Sequence, residues 1–250
     1  MKTINAHIHL FDENGENIHY KHETCVGFTD LSKDFGSIDY ISLYDKYIST
    51  HKINGCLLSC GKNAEEMITI YKNHRDIIRG FGEIKIFKKD IHNFNRDELK
   101  KLLDYNEMHE NLPVVFHFDF INEENIQEVR TMLKCYPYTK FVHCHCGAPG
   151  TSTNEDMWAF TNSMILAREL PNYYFDISWS IAKYIYRFKG LLKSAIVADK
   201  ILLGTDTNVE MDKLLDDPNK EALISMNIFN IFNNMFGDYN ESNCKLLFGI

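Results

Sequence analysis

Short apolar runs alternate along this chain with segments of helical period, and that alternation restricts the fold more than any single motif does. The runs cover 3–9, 53–59, 77–87, 112–118, 140–145, 173–178 and 200–205, seven strand candidates in all. Between them, Leu99, Leu102 and Leu103 form one apolar helical stripe. Ile126, Val129, Met132 and Leu133 form a second, and Ile181, Ile185, Phe188 and Leu192 a third. Strand and helix in alternation are the sequence form of a βαβ series, whose strands run parallel in one sheet. Asn63 with Glu66, and Asn95 with Glu98, carry the polar cap and acidic third position that satisfy orphan amide donors, so helices are expected to begin there. The last thirty residues, from Lys220, read as two closing helices.

With 250 residues, 44% of them hydrophobic, the chain has enough apolar mass for one large core. No repeat, low-complexity tract or Pro/Gly/Ser linker divides it, so one domain over residues 1–250 is expected. The net charge of -8 opposes nucleic acid as a partner, because cationic neutralisation of phosphates supplies most of that affinity. No stretch approaches the roughly 20 apolar residues that span a bilayer, and the start lacks the basic-then-apolar pattern of a signal peptide. Seven cysteines, an odd number without framework spacing, suit reduced thiols and hence the cytoplasm. A small molecule is the expected partner, and association of like copies into a homo-oligomer stays open. Residues 10–37 are polar and rich in Gly, Asp and Asn, which reads as a loop over a site.

The histidines are placed unevenly. Five of the eleven fall at the C-terminal ends of strand candidates: His7, His9, His117, His143 and His145. Residues two apart in a strand face the same side, so His7 and His9 lie side by side, and by the same rule His143 and His145 both face inward. The run 200–205 leads into a carboxylate, Asp206. Imidazoles and a carboxylate converging from separate strands suit a divalent metal, Zn2+ before Mn2+, Fe2+ or Co2+, with a position left for water. Such an ion lowers the pKa of its water to about 7, and a neighbouring carboxylate can then take the proton. A lone histidine on a strand is usually a satisfied core group, but the whole set is poorly explained by chance. Cys144 and Cys146 alternate with these histidines and so are expected to face the helices as buried thiols. Trp158, Trp179 and Tyr184 read as core aromatics.

These residues resemble the amidohydrolase superfamily, in the branch that holds aminocarboxymuconate semialdehyde decarboxylase-like and TatD-like metal-dependent hydrolases. His7-Ile8-His9 is similar to its first-strand His-x-His pair, Pro113 to His117 to its fifth-strand histidine, and Ile201 to Asp206 to its eighth-strand Gly-Thr-Asp. Asn172 to Ser178 resembles the seventh strand, and Lys245 to Ile250 the closing Leu-Phe-Gly helix. The resemblance implies a TIM-like (β/α) barrel, here with eight or fewer regular strands. The stretch expected to lack one lies between the second strand and His117. It also implies a metal held by His7, His9, His117 and Asp206, with Asp206 doubling as proton acceptor from the attacking water. A sixth-strand histidine would orient that water, and the pattern can be laid on either His143 or His145.

Gly82-Glu83-Ile84-Lys85 resembles the TatD-like stretch whose carboxylate helps to hold a second metal, while other amidohydrolases bridge two metals with a carbamylated lysine. Glu83 and Lys85 share one strand face. They could reach the site, neutralise each other, or, for Lys85, hold a substrate carboxylate. One metal is preferred over two, and Asp176 is a further substrate or supporting contact. The leading expectation is hydrolysis of a small amide, lactone or ester. Non-oxidative decarboxylation of a small acid stands second. TatD-like phosphodiester cleavage and a non-catalytic metal-binding scaffold follow.

Overall fold

The computed structural model describes residues 4–6, 9–11, 24–29, 53–58, 63–76, 78–86, 96–178, 197–204, 208–210, 234, 236 and 238–249. Its strands are β1 (Ile4–Asn5), β2 (His9–Phe11), β3 (Thr24–Thr29), β4 (Ile53–Leu58), β5 (Ile78–Lys85), β6 (Val114–His117), β7 (Phe141–His143), β8 (Tyr173–Ile177), β9 (Ile201–Leu203) and β10 (Asn208–Glu210). They form one parallel sheet in the order β10-β2-β3-β4-β5-β6-β7-β8-β9, with β1 also on β3. The Ala6 amide donates to the Leu203 carbonyl at 2.8 Å, and β10 pairs with β2, so the last stave meets the first. Counting β1 with β2 and β9 with β10 as single staves, and β3 to β8 singly, eight staves close a (β/α) barrel.

The eighth stave is β3, which sits inside the polar stretch expected to be a loop, between the first two strand candidates and not where a strand was thought to be lacking. Thr24-Cys-Val-Gly-Phe-Thr is β-prone but only six residues long, and its polar flanks hide it from a periodicity reading. It supplies a stave where the sequence left the strand count open.

Helices α1 (Ala64–Asn73), α2 (Arg96–His109), α3 (Glu123–Cys135) and α4 (Thr153–Glu169) lie outside the sheet. Asn63 caps α1 by accepting from the Glu66 amide, and α2 begins at the acidic signal read from the sequence. Leu99, Leu102 and Leu103 are buried, as are Ile126, Val129 and Leu133. Helix α4 gave no clear stripe, and its Trp158 is 38% exposed, on the surface and not in the core. Residues 181–192, with the third stripe, lie outside the described residues, as do Trp179, Tyr184 and most of the tail. Of the two closing helices one is described, α5 (238–248). Among the described residues, no helix is long and apolar enough to cross a membrane.

Side-chain size sorts the two faces of the staves. Phe81, Phe116, Phe141, Phe175, Ile201 and Leu203 face outward into the layer beneath the helices. Leu57, Val115, Val142, Tyr174 and Leu202 face inward with Ala6, where they meet Cys244, Leu247 and Phe248 of α5. The Asn243 amide donates to the Ala198 and Ile201 carbonyls, and Lys140 Nζ to the Leu246 carbonyl, which seats α5 at the N-terminal ends of β7 and β9. The opposite, C-terminal ends form the mouth.

Gly82 permits the closest approach in this wall. A Cβ there would lie 2.4 Å from the Val115 carbonyl oxygen, and φ is +139°, which L side chains rarely adopt. Gly82→Ala is therefore expected to cost about 1–3 kcal/mol in urea unfolding, the range for overpacking. A loss under roughly 0.5 kcal/mol, ordinary for an uninvolved surface site, would mean that the wall has room to relax.

Candidate metal centre at the strand ends

Three consecutive staves deliver polar side chains to the mouth. From β5 comes Glu83, buried at 4% exposure, and from β6 comes His117, whose Nδ1 lies 2.6 Å from Glu83 Oε1. The other ring nitrogen, Nε2, lies 3.1 Å from Asp119 Oδ1. Burial pulls the His117 pKa down, but hydrogen bonds to Asp119 and Glu83 outweigh it and set it at about 9. Each ring nitrogen thus faces a carboxyl oxygen. Lys85 Nζ stands 3.8 Å from Glu83 Oε2, so the two do share a face and attract each other.

The third stave departs from the expected register. It is Val142 of β7, and Cys144 just beyond it, that point inward, because Phe141 and His143 occupy the wider outer layer with Phe116 and Tyr173. His143 is fully buried there: Nδ1 is 2.7 Å from the Tyr173 hydroxyl, Nε2 donates to the Phe118 carbonyl at 2.7 Å, and the ring stacks on Phe116 at 4.4 Å. Burial drives its pKa down to about 3. The strand then ends, and a short 3-10 turn, Cys144–Gly147, swings His145 to the mouth. His143 and His145 accordingly do not share a face. Cys146 goes outward as expected, its Sγ donating to the Asp176 carbonyl at 3.0 Å, but Cys144 does not.

His145 and Cys146 adopt left-handed backbone, with φ of +53° and +58°, at a cost of order 1–3 kcal/mol each. Asp176 at the end of β8 offsets that cost: its Oδ1 accepts the His145 amide at 3.0 Å and also the Ser178 hydroxyl. With its hydrogen committed to Asp176, Ser178 Oγ receives the hydrogen of His145 Nδ1, 2.8 Å away. The tautomer is thereby set, and Nε2 faces Glu83 Oε1 at 3.9 Å. The His117 and His145 rings stand edge to face at 5.1 Å. Ligand atoms of Glu83, Cys144 and His145 lie within 4.8 Å of one another.

Among the residues expected at the site, the structure brings together Glu83, Lys85, His117, His145 and Asp176, and sets His143 behind the wall. His7 and Asp206 lie outside the described residues, as does the side chain of His9. The backbone of β2 pairs His9 with Asn208, two residues beyond Asp206. Reading the sequence passed over Asp119 and Ser178, although each stands two residues after a chosen one, at strand period.

The amidohydrolase family model matches residues 92–216, half of the chain. The chain belongs to the amidohydrolase family. No curated protein matches the sequence. Among solved structures, an amidohydrolase from Burkholderia multivorans with bound HEPES covers 100% of both chains at 10% identity and TM-score 0.64. An amidohydrolase from Burkholderia multivorans with bound zinc gives 0.54 at 9% identity, also over 100% of both. A probable 2-pyrone-4,6-dicarboxylic acid hydrolase from Acinetobacter baumannii with citric acid bound gives 0.57 at 15%, again over 100% of both. A TatD family hydrolase from Entamoeba histolytica gives 0.56 at 13%, over 99% of this chain and 98% of that one. At such identities these neighbours speak for the fold.

The buried His143 gives this amidohydrolase an acid sensitivity. Unfolded, the ring titrates near 6.5, whereas folded it refuses a proton until about 3. Between those values the unfolded state binds the extra proton, so stability falls as pH drops, by at most about 1.4 kcal/mol per unit. In His143→Gln that contribution should vanish, which denaturant midpoints at pH 7 and pH 5 would read; equal slopes in both proteins would refute it.

Proposed function

We propose that this amidohydrolase is a metal-dependent hydrolase of a small amide, lactone or ester, with Asp206 as general base. The observation that carries the reading is the buried Glu83 set against two imidazoles, His117 and His145, from neighbouring staves. Buried charge is costly unless paired, and carboxylate beside imidazole is the donor chemistry of zinc and its borderline neighbours. Glu83, His117 and His145 fit such an ion, and the sequence adds His7, His9 and Asp206 to the residues that would hold it. A divalent cation bound there would polarise the scissile carbonyl and bring water to hydroxide character near neutral pH, with a pKa of about 7.

The chain's own residues supply the rest. Asp206 accepts the proton of the attacking water. His145 presents an unprotonated Nε2, because Ser178 holds the hydrogen of its other nitrogen, and so is ready to bind that cation. Lys85, a third exposed at the mouth, pairs with a carboxylate on the substrate. The Acinetobacter neighbour is described as acting on a 2-pyrone, which is a lactone, and as holding citrate, and both agree with a small carboxylated substrate. The zinc of a Burkholderia neighbour supports zinc as the ion. Cys135, Cys144, Cys146 and Cys244 form no disulfide among the described residues, which agrees with a reducing cytoplasm.

A second reading is favoured by Glu83, whose Gly-Glu-Ile context resembles that of TatD-like hydrolases. Cleavage of DNA with a steep loss of rate on adding salt would support it over the first.

Chelation should abolish turnover, and zinc should restore it. Asp206→Asn should lower kcat by about 10² or more while leaving the circular dichroism spectrum unchanged, since positioned general bases contribute about 10²–10⁴. A loss below about tenfold would remove Asp206 from the role of base.

A further inference from the structure

We infer that Cys144 is a thiolate ligand of the cation held at the mouth, in one donor set with Glu83 and His145; this rests on the metal-dependent reading above. The register of β7 is the first ground. Val142 and Cys144 face the barrel interior, so the sulfur stands on the site side of the wall, while Cys146 two residues later binds the Asp176 carbonyl in the helix layer. Proximity is the second. Sγ of Cys144, a carboxylate oxygen of Glu83 and a ring nitrogen of His145 fall within 4.8 Å of one another, and all three residues are buried.

The third ground is the direction of the imidazole. Ser178 and Asp176 fix the hydrogen on Nδ1, so the nitrogen left to bind an ion is Nε2, the one that faces Glu83. Soft thiolate, borderline imidazole and hard carboxylate together favour zinc over manganese or magnesium, whereas imidazoles and carboxylates alone discriminate less. In the binding step the sulfur–metal bond forms as the S–H bond breaks, and the proton leaves to water with no change of oxidation state. Below the sulfur lie Val115, Val142 and Leu202, an apolar layer in which a thiolate without a cation would be poorly solvated.

The test is cobalt substitution. The metal-free protein is titrated with Co2+, and its absorption is followed in the visible, where d–d bands report an occupied site, and in the near ultraviolet, where a sulfur-to-cobalt charge-transfer band reports a thiolate ligand. Both sets should appear at one equivalent. Cys144→Ser should lose the near-ultraviolet band and keep the visible ones, and Cys146→Ser should keep both. Visible bands without the charge-transfer band, or a band that survives in Cys144→Ser, overturn thiolate ligation and leave the hydrolase reading standing. No bound cobalt overturns both. Should Cys144→Ser misfold, X-ray absorption of the zinc-loaded unmutated protein decides: a sulfur among the atoms bound to zinc supports the inference, and nitrogen and oxygen alone overturn it.

Discussion

The inside of an eight-stave barrel is narrow, and the layer between staves and helices is wide; the site follows from that difference. Phenylalanines of β5 to β8 fit only the outer layer, and each one that goes outward sends its neighbours in the strand inward. Phe116 facing out turns Val115 and His117 in. Phe175 facing out turns Tyr174 and Asp176 in. Phe141 facing out turns Val142 and Cys144 in, and leaves His143 behind the wall. Packing of large apolar groups thus decides which polar groups reach the mouth, before any polar interaction is made.

At the end of β7 alternation alone gives the wrong tenant. There the chain abandons extended backbone, and His145 arrives at the mouth through left-handed residues that a strand would not contain. Such backbone persists only where the surroundings over-determine it. Asp176 supplies two acceptor contacts to that end, and Gly147, with φ of +69°, lies where a Cβ would stand 2.5 Å from the His143 ring. His143 is therefore part of the mould for the turn. Its ring fills the space against which Gly147 closes, so an imidazole taken as a candidate for orienting the attacking water serves instead to shape the backbone that carries its neighbour.

Much of this was legible in the residues. The βαβ alternation, the stripes of α2 and α3, the cap at Asn63 and the inward face of Glu83 and Lys85 all rest on local period, which tertiary packing reinforces here. Strand β3 escaped because six residues with polar flanks carry too little pattern to outweigh the loop composition around them. His143 and His145 were assigned one face because a period of two was extended past the point where the strand stops. What ends the strand is a side chain from another stave, Asp176, and no rule of sequence spacing contains that contact. Cys144 was turned the wrong way because His143, inside the strand, was assigned to the inner face that Val142 holds.

Charge ties these pieces into one unit. Glu83, Asp119 and Asp176 bring carboxyl groups to a mouth whose floor is hydrocarbon, and such groups are costly there unless positive charge or hydrogen-bond donors meet them. Asp176 is met by the backbone of His145 and by Ser178, and so is spent on geometry. Glu83 and Asp119 are met by His117, whose elevated pKa of about 9 expresses how strongly that pair of carboxyl groups favours a cation between them. The two roles are separable in principle: Asp176 fixes where His145 points, whereas Glu83 sets what His145 points at. A barrel that used its carboxylates only to satisfy buried donors would need the first role and not the second.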